Sequence, residues 1–265
     1  MSVSSLMDTT EKITPDFIRA AKARGERIPA LTAYDYPTAR LLDEAGVPLL
    51  LVGDSLGMVV LGYPDTTQVT LAEMRHHVAA VARAKTRALV VADLPYHTYQ
   101  TTGNAVANAH VLVEAGAEAV KLEGGLAVVP EIRALRQAGI PVVGHIGMLP
   151  QHIKEEGGYK IKGRSAEQKE QLLADALAVE EAGAFALVLE LVEPALAREI
   201  TALVSIPTIG IGSGPHCGGQ ILVTHDLVGA FPWFRPKFAV AKADIASAIR
   251  TAAQAFVKQV NEPSA

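Results

Sequence analysis

The sequence predicts an α/β protein, a single-domain (β/α)8 TIM barrel over residues 1–265 with a short N-terminal helical extension. Size is the first observation, because 265 residues suit one such barrel and no charged or low-complexity linker divides the chain. The second is an alternation of short aliphatic runs with alanine-rich stretches from residue 28 onward, which is typical of parallel strands joined by helices. The third is composition, since 49% hydrophobic residues supply material for a large core.

Eight short aliphatic or β-branched runs are candidates for the strands. In chain order they are residues 28–34, 49–53, 88–93, 119–124, 141–147, 185–191, 207–212 and 221–227. Only about a dozen residues separate Ile211 from Val223, which is short for a crossover helix between parallel strands. Either that helix is truncated or one of the two strands is misplaced. An open doubly wound sheet therefore remains the alternative to a closed barrel.

The alanine-rich stretches between these runs predict helices. The clearest are residues 70–85, 104–117, 131–139 and 166–184. Three helices end in an Ala-Gly pair shortly before a strand, at Gly46, Gly116 and Gly139. Glycine at this position adopts the left-handed conformation that ends many helices, so we expect these glycines to mark helix ends.

Charge and cysteine content exclude several classes of protein. The chain has 24 basic and 28 acidic residues, a formal net charge of −4, which gives no electrostatic reason to expect binding to nucleic acid or to an anionic membrane. The single cysteine, Cys217, offers neither an internal disulfide nor a cysteine cluster for zinc. Residues 1–27 lack the apolar segment of a signal peptide, and apolar runs such as 47–53 are too short to span a bilayer. We therefore expect a soluble protein of the reducing cytoplasm.

Polar side chains interrupt or follow the predicted strands near their carboxyl ends. They are Asp54, Asp93, Lys121, Glu123, His145 and Glu190. Because side chains alternate along a strand, Lys121 and Glu123 share one face, and Glu190 lies opposite Leu187 and Leu189, which we expect to contact the helices. Catalytic groups of such barrels lie at the carboxyl ends of the strands, so we expect the polar side chains to converge at the barrel mouth.

Each of these residues also has a purely structural interpretation. Asp54 and Asp93 are of the type that caps helices, and Glu123 could be a salt-bridge partner of a neighbouring lysine. His145 fits a core histidine with satisfied hydrogen bonds. Glu190 is harder to explain in this way, because a carboxylate within an apolar strand costs several kcal/mol unless it is paired or bound to metal. Because all these residues lie at the same end of the predicted barrel, a shared functional role is favoured over the separate structural interpretations.

The chemistry of this set indicates a hard metal ion and proton transfer. Oxygen ligands without a cysteine cluster favour Mg²⁺ over zinc. On a 2-keto acid, Mg²⁺ stabilises the enolate that forms when a carboxylate base removes the proton beside the carbonyl. Lys121 would offset negative charge on the substrate carboxylate or on the enolate.

Two further segments have alternative interpretations. The glycine run at residues 210–215 is either a phosphate-binding loop or a tight turn after a strand, and the turn is favoured. The polar stretch at residues 149–165 is a loop over the barrel mouth, acting either as a lid or as an ordinary solvated loop.

Several strings of the sequence resemble those of the ketopantoate hydroxymethyltransferase family, in family order and over most of the chain. They are LTAYDY (31–36), LVGDSLGMVVLGY (51–63), VTLAEM (69–74), ADLPYHTYQ (92–100), AVKLEGG (119–125), GIPVVGHIGMLPQ (139–151), GGYKIKG (157–163), VLEL (188–191) and PTIGIGSG (207–214). The combination of VGDSLGMV with VKLEGG is specific, so chance agreement is implausible.

This resemblance implies a Mg²⁺-dependent barrel enzyme that transfers a hydroxymethyl group from 5,10-methylenetetrahydrofolate to 3-methyl-2-oxobutanoate in pantothenate biosynthesis. It implies one Mg²⁺ per subunit and a homo-oligomer, typically a decamer. The implied metal site comprises Asp54, Asp93 and Glu123, with Glu123 at the water shell of the ion. Glu190 is the implied catalytic base. The implied substrate contacts are Asp54, Ser55, Asp93, Lys121 and His145.

The chain departs from the family pattern at His97-Thr98, Met148-Leu149, Glu193-Pro194 and Gly218, and none of these is an implied catalytic residue. The departures bear on folate-side contacts and on oligomer contacts. Two other functions stay open at this point. One is another Mg²⁺-dependent lyase or aldolase for 2-keto acids on a similar barrel. The other is a catalytically silent barrel that serves as a binding module, which no residue favours.

Overall fold

A computed structural model describes residues 11–262 of the chain. Its parallel strands close into a barrel in chain order, with β1 paired to β2 and so on to β8. The strands are β1 (Ile28–Thr32), β2 (Leu49–Val52), β3 (Leu89–Asp93), β4 (Ala119–Glu123), β5 (Val142–Gly147), β6 (Ala186–Glu190), β7 (Thr208–Ile211) and β8 (Gly219–Leu222). The predicted (β/α)8 TIM barrel is confirmed, and the open-sheet alternative is wrong.

Helices alternate with most of these strands. They are α1 (Pro15–Ala20), α2 (Tyr36–Glu44), α3 (Leu56–Val59), α4 (Leu71–Ala82), α5 (Thr102–Glu114), α6 (Val129–Gln137), α7 (Ile153–Glu156), α8 (Ala166–Ala182), α9 (Pro194–Leu203), α10 (Thr224–Leu227) and α11 (Ile245–Asn261). Helix α1 precedes the barrel, in the place of the predicted N-terminal extension. Its Ile18 is fully buried in the apolar cluster to which the strands also contribute, so α1 packs against the barrel.

The predicted helix ends are those of the structure. Gly46, Gly116 and Gly139 follow α2, α5 and α6 with φ angles of 83°, 111° and 78°, in the left-handed region that favours glycine. At Gly116 a side chain is also excluded by packing, because a Cβ atom there would lie 2.4 Å from Cβ of Ala82 on α4. The close approach of α4 and α5 therefore depends on this glycine.

The eighth strand was placed wrongly by the sequence pattern. Residues 221–227 were expected to form it, but β8 ends at Leu222 and residues 224–227 form α10. The apolar run was short, and such a run does not distinguish a strand from the start of a helix. Residues 212–218 join β7 to β8 without a helix, so the crossover helix is absent from this part of the described chain. Gly219 nevertheless pairs in parallel with Ile209.

Two buried apolar layers lie on opposite faces of the strands. The inner layer includes Leu89, Val91, Val143, Ala186 and Val188. The outer layer, which the helices cover, includes Val90, Val120, Leu122, Leu187 and Leu189. Because Lys121, Glu123 and Glu190 alternate with outer-layer residues, their side chains lie on the inner face, as the period of two predicted.

The register of the sheet brings the polar ends of neighbouring strands side by side. Asp93 of β3 is paired with Lys121 of β4, and Glu123 of β4 is paired with His145 of β5. Glu190 of β6 is paired with the last residue of β5. Inward-facing polar groups at matched heights on adjacent strands must therefore contact one another.

The described chain divides into two compact units, one that ends at Ile221 and one that begins at Leu222. The first holds the barrel up to β8, and the second holds α10 and α11. A single domain over residues 1–265 therefore stays a prediction. Among residues 11–262, no helix has the length and apolar character needed to cross a membrane.

Candidate active site

Ionisable side chains from neighbouring strands meet in a buried cluster at the carboxyl end of the barrel. Asp93 ends β3, Lys121 and Glu123 lie on β4, and His145 lies on β5. Each of these residues exposes at most 4% of its surface. Glu190, the last residue of β6, lies at the margin of the cluster with 12% of its side chain exposed. The structure thus brings together the groups that the sequence placed at the strand ends.

Asp54 joins the cluster from the loop that follows β2. Its backbone N–H donates a hydrogen bond to Oδ2 of Asp93 over 3.0 Å, and the residue is 4% exposed. Neither aspartate caps a helix, because the residue that precedes α3 is Ser55 and the cap of α5 is Thr101. The helix-cap interpretation of Asp54 and Asp93 is therefore wrong.

Lys121 is held between carboxylates. Its Nζ lies 3.0 Å from Oδ1 of Asp93 and 3.9 Å from Oε1 of Glu123. Burial acts to lower the pKa of Lys121, but the charges of Asp93, Glu123 and Asp54 outweigh burial and raise it. The ammonium group is therefore a fixed positive charge. The interpretation of Glu123 as an ion-pair partner of a neighbouring lysine agrees with this contact, and the pair is buried, because only 1% of the Glu123 side chain is exposed.

His145 connects two carboxylates through its two ring nitrogens. Nδ1 lies 3.4 Å from Oε1 of Glu123, and Nε2 lies 3.3 Å from Oε2 of Glu190. Nδ1 also lies 3.2 Å from Nζ of Lys121. Burial and Lys121 act to lower the pKa of His145, but Glu123 and Glu190 outweigh them and raise it to about 9. The imidazole is therefore cationic at neutral pH rather than a neutral core histidine.

The carboxylates of the cluster differ in their proton affinity. Burial raises the pKa of Asp54 well above its ordinary value, and the charges of Asp93 and Glu123 raise it further. Burial also raises the pKa of Asp93, although Lys121 opposes the rise. Burial acts to raise the pKa of Glu123, but His145 and Lys121 outweigh it and lower the pKa. Asp54 is thus the carboxylate whose negative charge is least compensated by its neighbours.

Gln151 is a component of the cluster that the sequence did not single out. It lies in the short helical turn Pro150–His152 after β5 and is 1% exposed. Its Nε2 donates to Oδ2 of Asp54 over 2.8 Å, and its backbone N–H donates to Oε2 of Glu123 over 3.0 Å. Tyr99 donates its hydroxyl proton to Oε1 of Gln151 over 2.5 Å. Through its side chain and its backbone, Gln151 therefore links the carboxylates of Asp54 and Glu123.

Ser55, a predicted substrate contact, lies at the start of α3 and is partly buried. Its Oγ is 2.8 Å from the hydroxyl of Tyr34, which is almost fully buried after β1. Burial raises the pKa of Tyr34, so that its hydroxyl stays protonated. Tyr34 was not predicted, and its position within an apolar run at the end of the first strand was the only available signal.

The donor set of the cluster fits a hard divalent cation. Four carboxylates face only two basic groups, so negative charge remains uncompensated even when His145 is protonated. Mg²⁺ needs only one or two carboxylates and keeps several waters, and the adjacent Asp54 and Asp93 satisfy that requirement. Within residues 11–262, no group of three histidine, cysteine, aspartate or glutamate side chains is arranged to hold a metal ion. The set of Asp54, Asp93 and Glu123 as metal ligands thus stays a prediction.

The glycine run at residues 210–215 is a turn that Ser213 ties to β6 and to Val192, which follows that strand. Ser213 is fully buried, and its Oγ donates to the carbonyl of Leu189 over 2.7 Å. The same oxygen accepts a hydrogen bond from the backbone N–H of Val192 over 2.9 Å. Because this hydroxyl is occupied by the backbone, the structure favours the tight-turn interpretation.

The segment at residues 149–165 is partly helical. It contains the turn Pro150–His152 and helix α7, and the side chains of Lys162 and Glu156 form an ion pair. The backbone N–H of Lys162 donates to the carbonyl of Leu191 over 2.8 Å, which anchors the segment to the residues after β6. Its action as a lid stays a prediction.

Comparison with known sequences identifies close relatives. The sequence model of the ketopantoate hydroxymethyltransferase family matches residues 12–264. A 3-methyl-2-oxobutanoate hydroxymethyltransferase of Moorella thermoacetica is 54% identical over 258 residues, covering 97% of this chain and 96% of the relative. An enzyme of the same name from Caldivirga maquilingensis is 56% identical over 252 residues, covering 95% and 94%.

Comparison with solved structures identifies the same barrel in more distant proteins. The phosphoenolpyruvate phosphomutase of Streptomyces platensis subsp. rosaceus superposes with a TM-score of 0.64 at 16% identity, covering 94% of this chain and 88% of that chain. A 2,3-dimethylmalate lyase superposes with a TM-score of 0.61 at 19% identity, covering 94% and 88%. These likenesses establish the fold alone.

Proposed function

Because the chain belongs to the ketopantoate hydroxymethyltransferase family, it is a hydroxymethyltransferase, and we propose that it acts on 3-methyl-2-oxobutanoate with 5,10-methylenetetrahydrofolate as the one-carbon donor. The product would be 2-dehydropantoate, an intermediate of pantothenate biosynthesis. The observation that carries this proposal is a buried cluster at the barrel mouth. It consists of Asp54, Asp93, Lys121, Glu123 and His145, with Glu190 at its margin.

The reaction needs a base that removes the proton from C3 of the keto acid, and we assign this role to Glu190. Its side chain is the most accessible of the carboxylates around the cluster, and Oε2 lies 3.3 Å from Nε2 of His145. The electron pair of the broken C–H bond passes into the enolate, and C3 then forms a bond to the donated carbon. One water is consumed overall, and tetrahydrofolate is released.

Lys121, His145 and Ser55 are proposed to bind the keto acid. The cationic Lys121 and His145 lie 3.2 Å apart and would offset the charge of the substrate carboxylate and of the enolate oxygen. The Ser55 hydroxyl is oriented by Tyr34 and would donate a hydrogen bond to the same substrate. Lys121 and His145 are buried, and all three donors contact neighbouring side chains before the substrate arrives, which favours strong electrostatic stabilisation.

Asp54 and Asp93 are proposed to hold one Mg²⁺ per subunit, with Glu123 at its water shell. When bound, the ion would act as a Lewis acid on the keto oxygen. The raised pKa of Asp54 and of Asp93 reflects carboxylates buried near other negative charge, which a divalent cation would offset. Gln151 keeps the Asp54 carboxylate in place through its 2.8 Å hydrogen bond.

A coupled assay with 3-methyl-2-oxobutanoate and 5,10-methylenetetrahydrofolate, with and without EDTA, tests this function. We expect 2-dehydropantoate to form only without EDTA and only with the folate donor. Product formation from a simple aldehyde without the folate donor would instead support another Mg²⁺-dependent lyase or aldolase. Absence of both Mg²⁺ and keto-acid binding by calorimetry would support a catalytically silent barrel.

A homo-oligomer, typically a decamer in this family, is also proposed for this chain. Support comes from α11, where Ile249, Phe256 and Val260 follow one another at helical spacing and expose 62%, 66% and 59% of their surfaces. Apolar patches of this kind are typical of interaction sites. Sedimentation equilibrium should give a mass that is a multiple of the 27.9 kDa chain, and a monomer would contradict the proposal.

A further inference from the structure

We propose that a cavity beside the catalytic cluster binds the aminopyrimidine ring of the folate donor, and that Glu131 is the group that recognises it. This inference rests on the proposed function, because that function supplies the donor. The cavity, here called the α6 cavity, has a volume of about 920 Å³. Its walls include Tyr96, His97, Glu123, Leu126, Glu131 and Asp175.

The position of the α6 cavity suits the second substrate. Glu123 lines it, and the same residue contacts Lys121 and His145 in the catalytic cluster. The donated carbon must come within about 3–3.5 Å of C3 of the keto acid, so the donor must occupy space next to that cluster. The volume lies within the range of about 300–1,000 Å³ that is typical of small-molecule sites.

The charge of the walls selects which part of the donor can enter. Five of the lining residues are acidic, Glu123, Glu131, Glu155, Glu156 and Asp175, and none of the described lining residues is lysine or arginine. The glutamate tail of a folate is anionic and would be repelled by these walls. The ring carries a 2-amino group beside an N–H, and this donor pair matches the two oxygens of a carboxylate. The ring should therefore enter first, with the tail toward solvent.

Among the carboxylates of residues 11–262 that line the α6 cavity, Glu131 is the one without a hydrogen-bond or ion-pair partner in the protein. It is 8% exposed, and within residues 11–262 no hydrogen bond or ion pair involves its side chain. Because Glu131 lines the α6 cavity and no protein group occupies its carboxylate, a pair of ligand N–H donors can bind it there. Asp175 differs, because its Oδ1 already accepts hydrogen bonds from the backbone N–H of Leu126 and from Nε2 of Gln171.

An aromatic wall of the α6 cavity suits a flat heterocycle. The rings of Tyr96 and His97 lie 3.7 Å apart between centroids at 34°, and His152 contacts Tyr96 edge-on at 5.6 Å. His97 holds this position with a φ of 65°, which is unusual for a residue other than glycine. Strained backbone of this kind is concentrated at ligand sites.

The first experiment measures binding of tetrahydrofolate by calorimetry to the wild type and to Glu131→Gln. We expect the Glu131→Gln variant to bind tetrahydrofolate about 10- to 100-fold more weakly, because the ring loses one charged hydrogen-bond partner. Exchange of the C3 proton of 3-methyl-2-oxobutanoate in D₂O should stay at the wild-type rate in this variant, because this half-reaction does not need the folate donor. An unchanged rate would also show that the variant is correctly folded. Glu170→Gln, the same change at an exposed position of α8, should alter neither value.

The second experiment needs no variant. In the wild type, 6-methyltetrahydropterin should compete with tetrahydrofolate, and p-aminobenzoylglutamate should not. Competition by p-aminobenzoylglutamate alone, or wild-type affinity in Glu131→Gln, would overturn the assignment of Glu131 while leaving the transferase proposal intact. Failure of the wild type to bind tetrahydrofolate at all would instead overturn the proposed function.

Discussion

Oε2 of Glu190 lies 3.3 Å from Nε2 of His145, while the other ring nitrogen, Nδ1, lies 3.4 Å from Oε1 of Glu123. The partly exposed carboxylate at the barrel mouth is thereby joined to a fully buried cationic ring. The same contact fixes the direction in which Glu190 presents its oxygens.

Replacement of Glu190 by glutamine should abolish proton removal while leaving binding intact. Glu190→Gln keeps the size of the side chain, but the amide cannot accept the C3 proton. We expect exchange of the C3 proton in D₂O to fall by a factor of about 10²–10⁴, with Mg²⁺ and keto-acid binding unchanged by calorimetry. Glu181→Gln on the exposed face of α8 is the matched control. Undiminished exchange in Glu190→Gln would exclude Glu190 as the base.

Replacement of Gln151 by leucine should destabilise the protein, because three buried partners lose a hydrogen bond at once. Gln151 donates to Asp54 and to the carbonyl of Leu94, and it accepts from Tyr99. Each buried polar group left without a partner costs about 1–3 kcal/mol, so for three such groups we expect the free energy of unfolding, measured in urea, to fall by at least about 3 kcal/mol. Gln137→Leu, at an exposed position of α6, should change it by less than about 0.5 kcal/mol. Equal effects of the two substitutions would show that the Gln151 network contributes nothing.

Most of the fold could be predicted from the sequence pattern, because short apolar runs that form buried parallel strands alternate along the chain with alanine-rich stretches that form the covering helices. This pattern failed at residues 223–227. There the predicted strand extends past Leu222, but in the structure β8 ends at Leu222 and residues 224–227 form α10. The position of β8 along the sheet is set by closure of the barrel against β1, where Gly219 approaches the backbone of Ile28. That contact is not encoded in the local pattern.

The candidate site was predictable in part for the same reason. Residues such as Lys121 and Glu190 stand out because a charged side chain interrupts an apolar strand. Gln151 does not interrupt any pattern, since it follows a strand in a polar stretch. Its importance arises from a contact with Asp54, which is 97 residues away in sequence and becomes a neighbour only when the barrel closes. Tyr34 was hidden for the opposite reason, because an aromatic residue fits the apolar run around it.

Replacement of Asp226 by asparagine should stabilise the protein at neutral pH and not in acid. Burial raises the pKa of Asp226 to about 6, although Arg235 opposes the rise. In the unfolded chain this carboxyl titrates near 4, so the folded form holds its proton over a pH range where the unfolded form has lost it. The stability that this group contributes is fully present below pH 4 and is lost as the pH rises through 6. Asp226→Asn should therefore gain about 1–2 kcal/mol at pH 7 and nothing at pH 3.5. Urea unfolding at both pH values measures this, and an equal gain at both would contradict the assigned cause.

The packing of α8 on β5 should not tolerate a methyl group at Gly144. A Cβ atom there would lie 2.3 Å from Cγ1 of Val179 on α8, so either the helix or the strand that carries His145 must shift. Overpacking of this kind costs about 1–3 kcal/mol, which we expect Gly144→Ala to lose in the free energy of unfolding. Gly103→Ala is the matched control, because nothing lies within 4 Å of a Cβ atom at that position in α5 and alanine favours helix. It should gain up to about 1 kcal/mol. A Gly144→Ala variant as stable as the wild type would contradict this prediction, because it would show that β5 and α8 have room for a methyl group. The rate of C3 proton exchange would then show whether His145 has moved.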